Sequence, residues 1–128
     1  MARREELRNR ANNSTDPLLN EVFTAIEKEL PGNVQFVNSK FFDSNLNNER
    51  EFDIITKKCI IEVKSGKKIK RGLRQFEGQK KYAESKKKKH IVYAPNLRLN
   101  AQNEYKKHGI AIVTDIPSLI KIIKEHEE

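Results

Sequence analysis

A single cysteine, Cys59, stands in the 128 residues, so no disulfide can form within the chain. It falls in an apolar stretch, where a buried structural thiol is the default, and nothing calls for an oxidising compartment. Long apolar runs are missing too: none approaches the ~20 residues that cross a bilayer. The opening residues, MARREELRNRANNSTD, lack the apolar segment of a secretory signal. The expected site of action is therefore aqueous, the cytoplasm. If the chain is exported, it travels within a larger secreted protein whose signal lies elsewhere. His90, His108 and His126 lack metal-ligand spacing, which speaks against zinc.

What the chain has is positive charge. Lysine and arginine number 26 against 18 aspartates and glutamates, a net charge of +8 with a pI near 9.6. Such a surplus points to an anionic partner, most often nucleic acid. Charged residues make up 34% and apolar ones 36%. The apolar residues are clustered, which favours a folded domain over disorder. The length fits one domain with a core of its own.

Residues 1–14 are charged and asparagine-rich, and read as a flexible basic arm or a poorly packed helix. Residues 15–128 read as a single domain. The stretch STDPLLNEVFTAIEKEL carries a helix start, with Thr15 or Asp16 as cap and Pro17 in the first turn. Leu18, Leu19, Val22, Phe23, Ile26 and Leu30 then form one apolar stripe. A strand is predicted near 34–38, followed by a polar loop, DSNLNNER. EFDIIT and CIIEVKS form a hairpin across Lys57–Lys58, and GKKIKRG is a basic loop. A helix from Leu73, a buried strand HIVYAPN, a helix closed by Gly109, a strand IAIVTD and a terminal helix complete the chain. The order implies an α/β fold, one sheet with helices on its faces. Its later strands are joined through helices and so lie parallel.

The hairpin holds an unusual set of charges. Side chains alternate across a strand, so Ile61 and Val63 face one side while Ile60, Glu62 and Lys64 face the other. Glu62 and Lys64 then sit about 7 Å apart along the strand. A two-residue turn pairs Ile55 with Ile60, Ile54 with Ile61 and Asp53 with Glu62, and opposed residues share a face. Two carboxylates that close repel each other unless something neutralises them. A hard divalent cation does so, and Mg²⁺ takes one or two carboxylates together with substrate phosphates. Lys64 beside them would stabilise charge on a phosphate or position water. The same E-x-K spacing recurs at Glu84–Lys86 and Glu104–Lys106, but in helices, where residues two apart face different ways.

The segment FDIITKKCIIEVKSG resembles the core motif of the PD-(D/E)xK nuclease superfamily. Asp53 matches the acidic residue and Glu62-Val63-Lys64 the E-x-K, over about 80 residues of chain. Phe52 stands where many members have proline. The resemblance implies a restriction-endonuclease-like αβββαβ core, a mixed central sheet flanked by helices, with a C-terminal αβα extension. It implies a nuclease dependent on Mg²⁺ or Mn²⁺. Asp53, Glu62 and the Val63 carbonyl would hold the metal, and Lys64 would act at the scissile phosphate. Many members add a glutamate from the first helix, to which Glu21 corresponds; Glu27 and Glu29 are weaker matches. RecB-like members carry a Q-x-x-x-Y pattern in the helix after E-x-K. Gln75 fits its glutamine, but Gln79 stands in the tyrosine's place and Tyr82 lies further on. Lys67, Lys68, Lys70, Arg71 and Arg74 follow the motif directly and are candidates for phosphate contacts. The lysines at 86–89 suit a helix C-terminus. The expected substrate is DNA, with tRNA as the alternative. The domain is similar to C-terminal toxins of bacterial competition systems, including contact-dependent inhibition, which implies a cognate immunity protein. A non-catalytic nucleic-acid-binding module is the reading from another class.

Overall fold

The computed structural model describes residues 2–14 and 16–127. Ten elements follow one another: α1 (Ala2–Asn12), α2 (Pro17–Glu29), β1 (Val34–Asp43), β2 (Asn48–Thr56), β3 (Cys59–Val63), α3 (Gly72–Ser85), β4 (Lys89–Tyr93), α4 (Leu99–Lys107), β5 (Ile112–Val113) and α5 (Ile116–Glu127). The sheet runs in chain order, β1 to β5. β1, β2 and β3 are antiparallel, and β4 and β5 add in parallel. The protein is thus α/β, with a five-stranded mixed sheet flanked by helices. No described helix is long and apolar enough to cross a membrane.

Local chemistry sets the boundaries. Asp16 caps α2 by accepting from the Leu18 N–H at 2.9 Å, with Pro17 in the first position. Thr15, the other expected cap, lies outside the described residues. Gly109 takes φ +80° where α4 ends, a conformation that costs glycine least. Thr56 closes the β2–β3 turn, its hydroxyl accepting from the Cys59 N–H at 2.9 Å. Beyond that turn Ile55 faces Ile60 and Ile54 faces Ile61, the register expected of a two-residue connection.

Helices cover both faces. On one, Leu19, Val22, Phe23 and Ile26 of α2 and Leu119, Ile120 and Ile123 of α5 pack on Ile54, Cys59, Ile61, Val63, Ile91 and Tyr93. On the other, α3 and α4 bring Phe76, Tyr82, Ala83 and Tyr105 against Phe52, Ile55, Ile60 and Val92.

Two expectations need correcting. Of the two readings of residues 1–14, a flexible arm or a poorly packed helix, Ala2–Asn12 take the helix, and it is packed rather than loose. Leu7 and Ala11, one turn apart, are buried in the α2–α5 core, and Arg4 pairs with Glu27 at 2.7 Å. The first strand, expected over 34–38, runs on to Asp43. Its extension is held by aromatic contact: Phe41 lies 5.0 Å from Phe36, edge to face, and 6.4 Å from Phe52.

That extension crosses a reversal of the pleat. In β2, Ile54 joins the α2 face, whereas both Ile55 and Phe52 join the α3 face. Likewise Val37 joins the first face and both Phe36 and Phe41 the second. Simple alternation forbids this. The change falls at Asn38, which has φ 47°, and at Asp53 opposite it. Asparagine tolerates the left-handed region better than most residues.

Candidate active site

Asp53, Glu62 and Lys64 meet in one cleft of about 420 Å³ at the C-terminal end of β3. The β2–β3 register makes this inevitable: Ile54 opposite Ile61 puts Asp53 next to Glu62. Asp53 Oδ2 accepts from the Val63 N–H at 2.8 Å, so its carboxylate bridges to the neighbouring strand. Lys64 Nζ lies 3.7 Å from Glu62 Oε1. Val63 lines the same cleft, as do Asn13, Ser14, Asp16, Leu19, Asn38 and Glu51.

Glu62 is the buried member, 5% exposed. Burial raises its pKa to about 9, with the charge of Asp53 and a hydrogen bond to it acting in the same direction. Lys64 and Gln79 oppose the shift. Without added positive charge, Glu62 therefore keeps its proton near neutral pH. The lining carries four carboxylates (Asp16, Glu51, Asp53 and Glu62) against one ammonium, Lys64. In a chain of net charge +8, this cleft is locally acidic. It suits a phosphate poorly by itself and a hard cation well.

Among the described residues no three histidine, cysteine, aspartate or glutamate side chains converge as a metal-holding group. Of the carboxyl groups lining the cleft, Asp53 and Glu62 are the adjacent pair, on neighbouring strands. Such a donor set fits Mg²⁺ or Mn²⁺, which keep several waters and need few protein ligands.

The structure does not bring Glu21 into the cleft. It is exposed on α2, and its charge reaches Tyr93, whose pKa is raised by burial first and by Glu21 and Asp115 next. Glu27 is taken up by Arg4 and Glu29 by Lys124. Gln75 is half-buried, and its side chain makes no hydrogen bond among the described residues. Its place beside the acidic pair is taken by Gln79, one turn later on α3. Gln79 is 1% exposed and donates through Nε2 to Glu62 Oε2 at 2.7 Å. Its Oε1 lies 2.9 Å from His90 Nε2. A signal for Gln79 was present in the sequence: it shares a helical stripe with Phe76 and Ala83, and a polar residue in such a stripe demands a buried partner.

Lys67, Lys68, Lys70, Arg71 and Arg74 are all exposed, on the loop leaving the site and the first turn of α3, and none lines the cleft. The loop backbone is pinned from the far side. Asn96 Nδ2 donates to the Ser65 carbonyl at 3.0 Å, the Arg98 N–H to that of Lys67 at 3.1 Å, and the Tyr105 hydroxyl to that of Ile69 at 3.1 Å. Cys59 is buried, and burial pushes its thiol up to about 11, so it stays protonated. Comparison with protein-family models, with curated proteins and with solved structures returns no match.

Proposed function

We propose that the chain is a divalent-cation-dependent nuclease with a restriction-endonuclease-like core, Asp53, Glu62 and Lys64 forming its site. The observation that carries this reading is the placing of an acidic pair and an ammonium in one cleft, with Glu62 buried and short of positive charge. Mg²⁺ or Mn²⁺ held by Asp53, Glu62 and the Val63 carbonyl would polarise a phosphoryl oxygen and acidify a bound water. Asp53 is fixed by the Val63 N–H and Glu62 by Gln79, so both donors are pre-positioned. The Lys64 ammonium, kept near Glu62 Oε1, offsets negative charge that develops on the phosphate. The exposed cations from Lys67 to Arg74 bind backbone phosphates to either side of the cut, without choosing sequence.

DNA is the favoured substrate, and the setting is that of a toxin domain in a bacterial competition system, restrained by an immunity protein. Purified protein incubated with plasmid, single-stranded DNA and total tRNA, with Mg²⁺ or with chelator, tests the activity and selects the substrate. Cleavage should require the cation and vanish in Glu62→Gln. Equal cleavage by the wild type and that variant would remove the proposal. Growth arrest on cytoplasmic expression, absent in the same variant, tests the toxin setting.

A further inference from the structure

We infer that Gln79 and His90 form a buried positioning pair that holds the Glu62 carboxylate at the angle the acidic pair needs. The inference rests on the nuclease reading for its purpose and on geometry for its existence. Glu62, Gln79 and His90 come from three separate elements, β3, α3 and β4, and are 5%, 1% and 4% exposed. Parallel pairing sets Ile60 beside His90 and Glu62 beside Val92, so the imidazole lies on the α3 face with Glu62. Gln79 spans the gap between them, Nε2 to Glu62 Oε2 at 2.7 Å and Oε1 to His90 Nε2 at 2.9 Å.

An amide has two orientations, and only one serves here. With its NH₂ toward Glu62, Gln79 donates to a carboxylate and presents its oxygen to His90, which must then donate from Nε2. The flipped amide would set an N–H against that Nε2–H, and a carbonyl against Glu62 once it ionises. The tautomer of His90 thus decides which end of Gln79 meets Glu62. His90 Nδ1 is buried with no hydrogen-bond partner. A proton there would be a buried orphan donor, which disfavours the wrong tautomer. Burial, with the charges of Lys89 and Lys80, keeps the ring neutral, its pKa near 4. The Phe76 ring, 6.2 Å from the imidazole, closes its surroundings on the α3 side. Gln79 and His90 line no part of the cleft. Their action runs through Glu62, as an outer partner orients a metal ligand.

The test uses the whole chain, labelled with ¹⁵N, in two readouts. In metal-free protein, imidazole nitrogen shifts should show His90 as the Nε2–H tautomer, and the Gln79 NH₂ protons should exchange slowly. In His90→Leu, Gln79 loses its anchor; its NH₂ should exchange faster, and Mg²⁺ affinity by calorimetry should fall about tenfold or more. His90→Gln can present an N–H to Gln79 Oε1 and should recover most of both. A folded His90→Leu with unchanged NH₂ exchange overturns the inference, as does an Nδ1–H tautomer in the wild type. A folded His90→Leu that binds Mg²⁺ as the wild type does overturns it as well. Should the wild type bind no divalent cation, the nuclease reading falls, and the exchange and tautomer measurements still decide the pair.

Discussion

The Val63 N–H donates to Asp53 Oδ2 at 2.8 Å, so a carboxylate from β2 takes the place of a ladder bond beside Glu62. Charge and hydrogen bond at Asp53 are therefore separable. Asp53→Asn keeps an acceptor for Val63 and removes the charge. Cation affinity should drop at least as far as the ~10–100-fold typical of outer-partner loss, with stability nearly kept. Asp53→Ala should show the same loss of affinity and a further ~1–3 kcal/mol of instability from an unpaired Val63 N–H. Calorimetry and denaturant unfolding on both variants read the two effects apart.

Two groups give metal-free stability opposite slopes with pH. The folded-state pKa of Glu62, about 9, lies above the ordinary 4.5. Its contribution is therefore full below the ordinary value and is lost as pH rises toward 9. His90 has a folded-state pKa near 4, below the ordinary 6.5. Its contribution is full above 6.5 and is lost as pH falls toward 4. Urea midpoints from pH 4 to 9 should show both limbs. Glu62→Gln should flatten the alkaline one and stabilise the metal-free protein at pH 8.5 by at least about 1 kcal/mol. Mg²⁺ should also stabilise the wild type there and leave Glu62→Gln unaffected.

The exposed cations between Lys67 and Arg74 should act on affinity alone. Each change to alanine should lower the slope of log affinity against log salt by ~1 for a nucleic-acid ligand. Turnover at saturating substrate should hold. Fluorescence anisotropy at several salt concentrations measures the first, and cleavage kinetics the second.

α1 belongs to the folding unit. Leu7 is 4% exposed in the α2–α5 core, so Leu7→Ala should cost ~2–5 kcal/mol in denaturant unfolding. Arg8→Ala, exposed on the same helix, should cost less than about 0.5 kcal/mol. Equal, negligible losses from both would mean that α1 contributes nothing to the core.

The site was legible where local rules were enough. A two-residue turn and alternation along CIIEV brought Asp53, Glu62 and Lys64 together without any tertiary information. The order of elements followed from apolar periodicity and capping in the same way. What stayed hidden depended on long-range packing. Among the described residues of α1, Leu7 and Ala11 are in the core, in a segment otherwise rich in charge, and their spacing of four matters only once α2 and β1 are there to receive them. Gln75 and Gln79 occupy one helical side, and only the depth of α3 over β3 decides which of them meets Glu62. Glu21 stands beside the apolar stripe of α2, yet it is exposed there, and its charge acts on Tyr93 rather than lining the cleft with the carboxylates.

The left-handed Asn38 and the exchange of faces at Asp53 leave that aspartate at a seam, claimed by neither sheet of helices and open to whatever enters from the side. A strand so built has no tolerance for length. One residue added or lost between Val37 and Phe41 would trade the Phe41 ring for water and slip the β1–β2 pairing beyond Asn38. The turn at 44–47, past the seam, could absorb the same change at little cost.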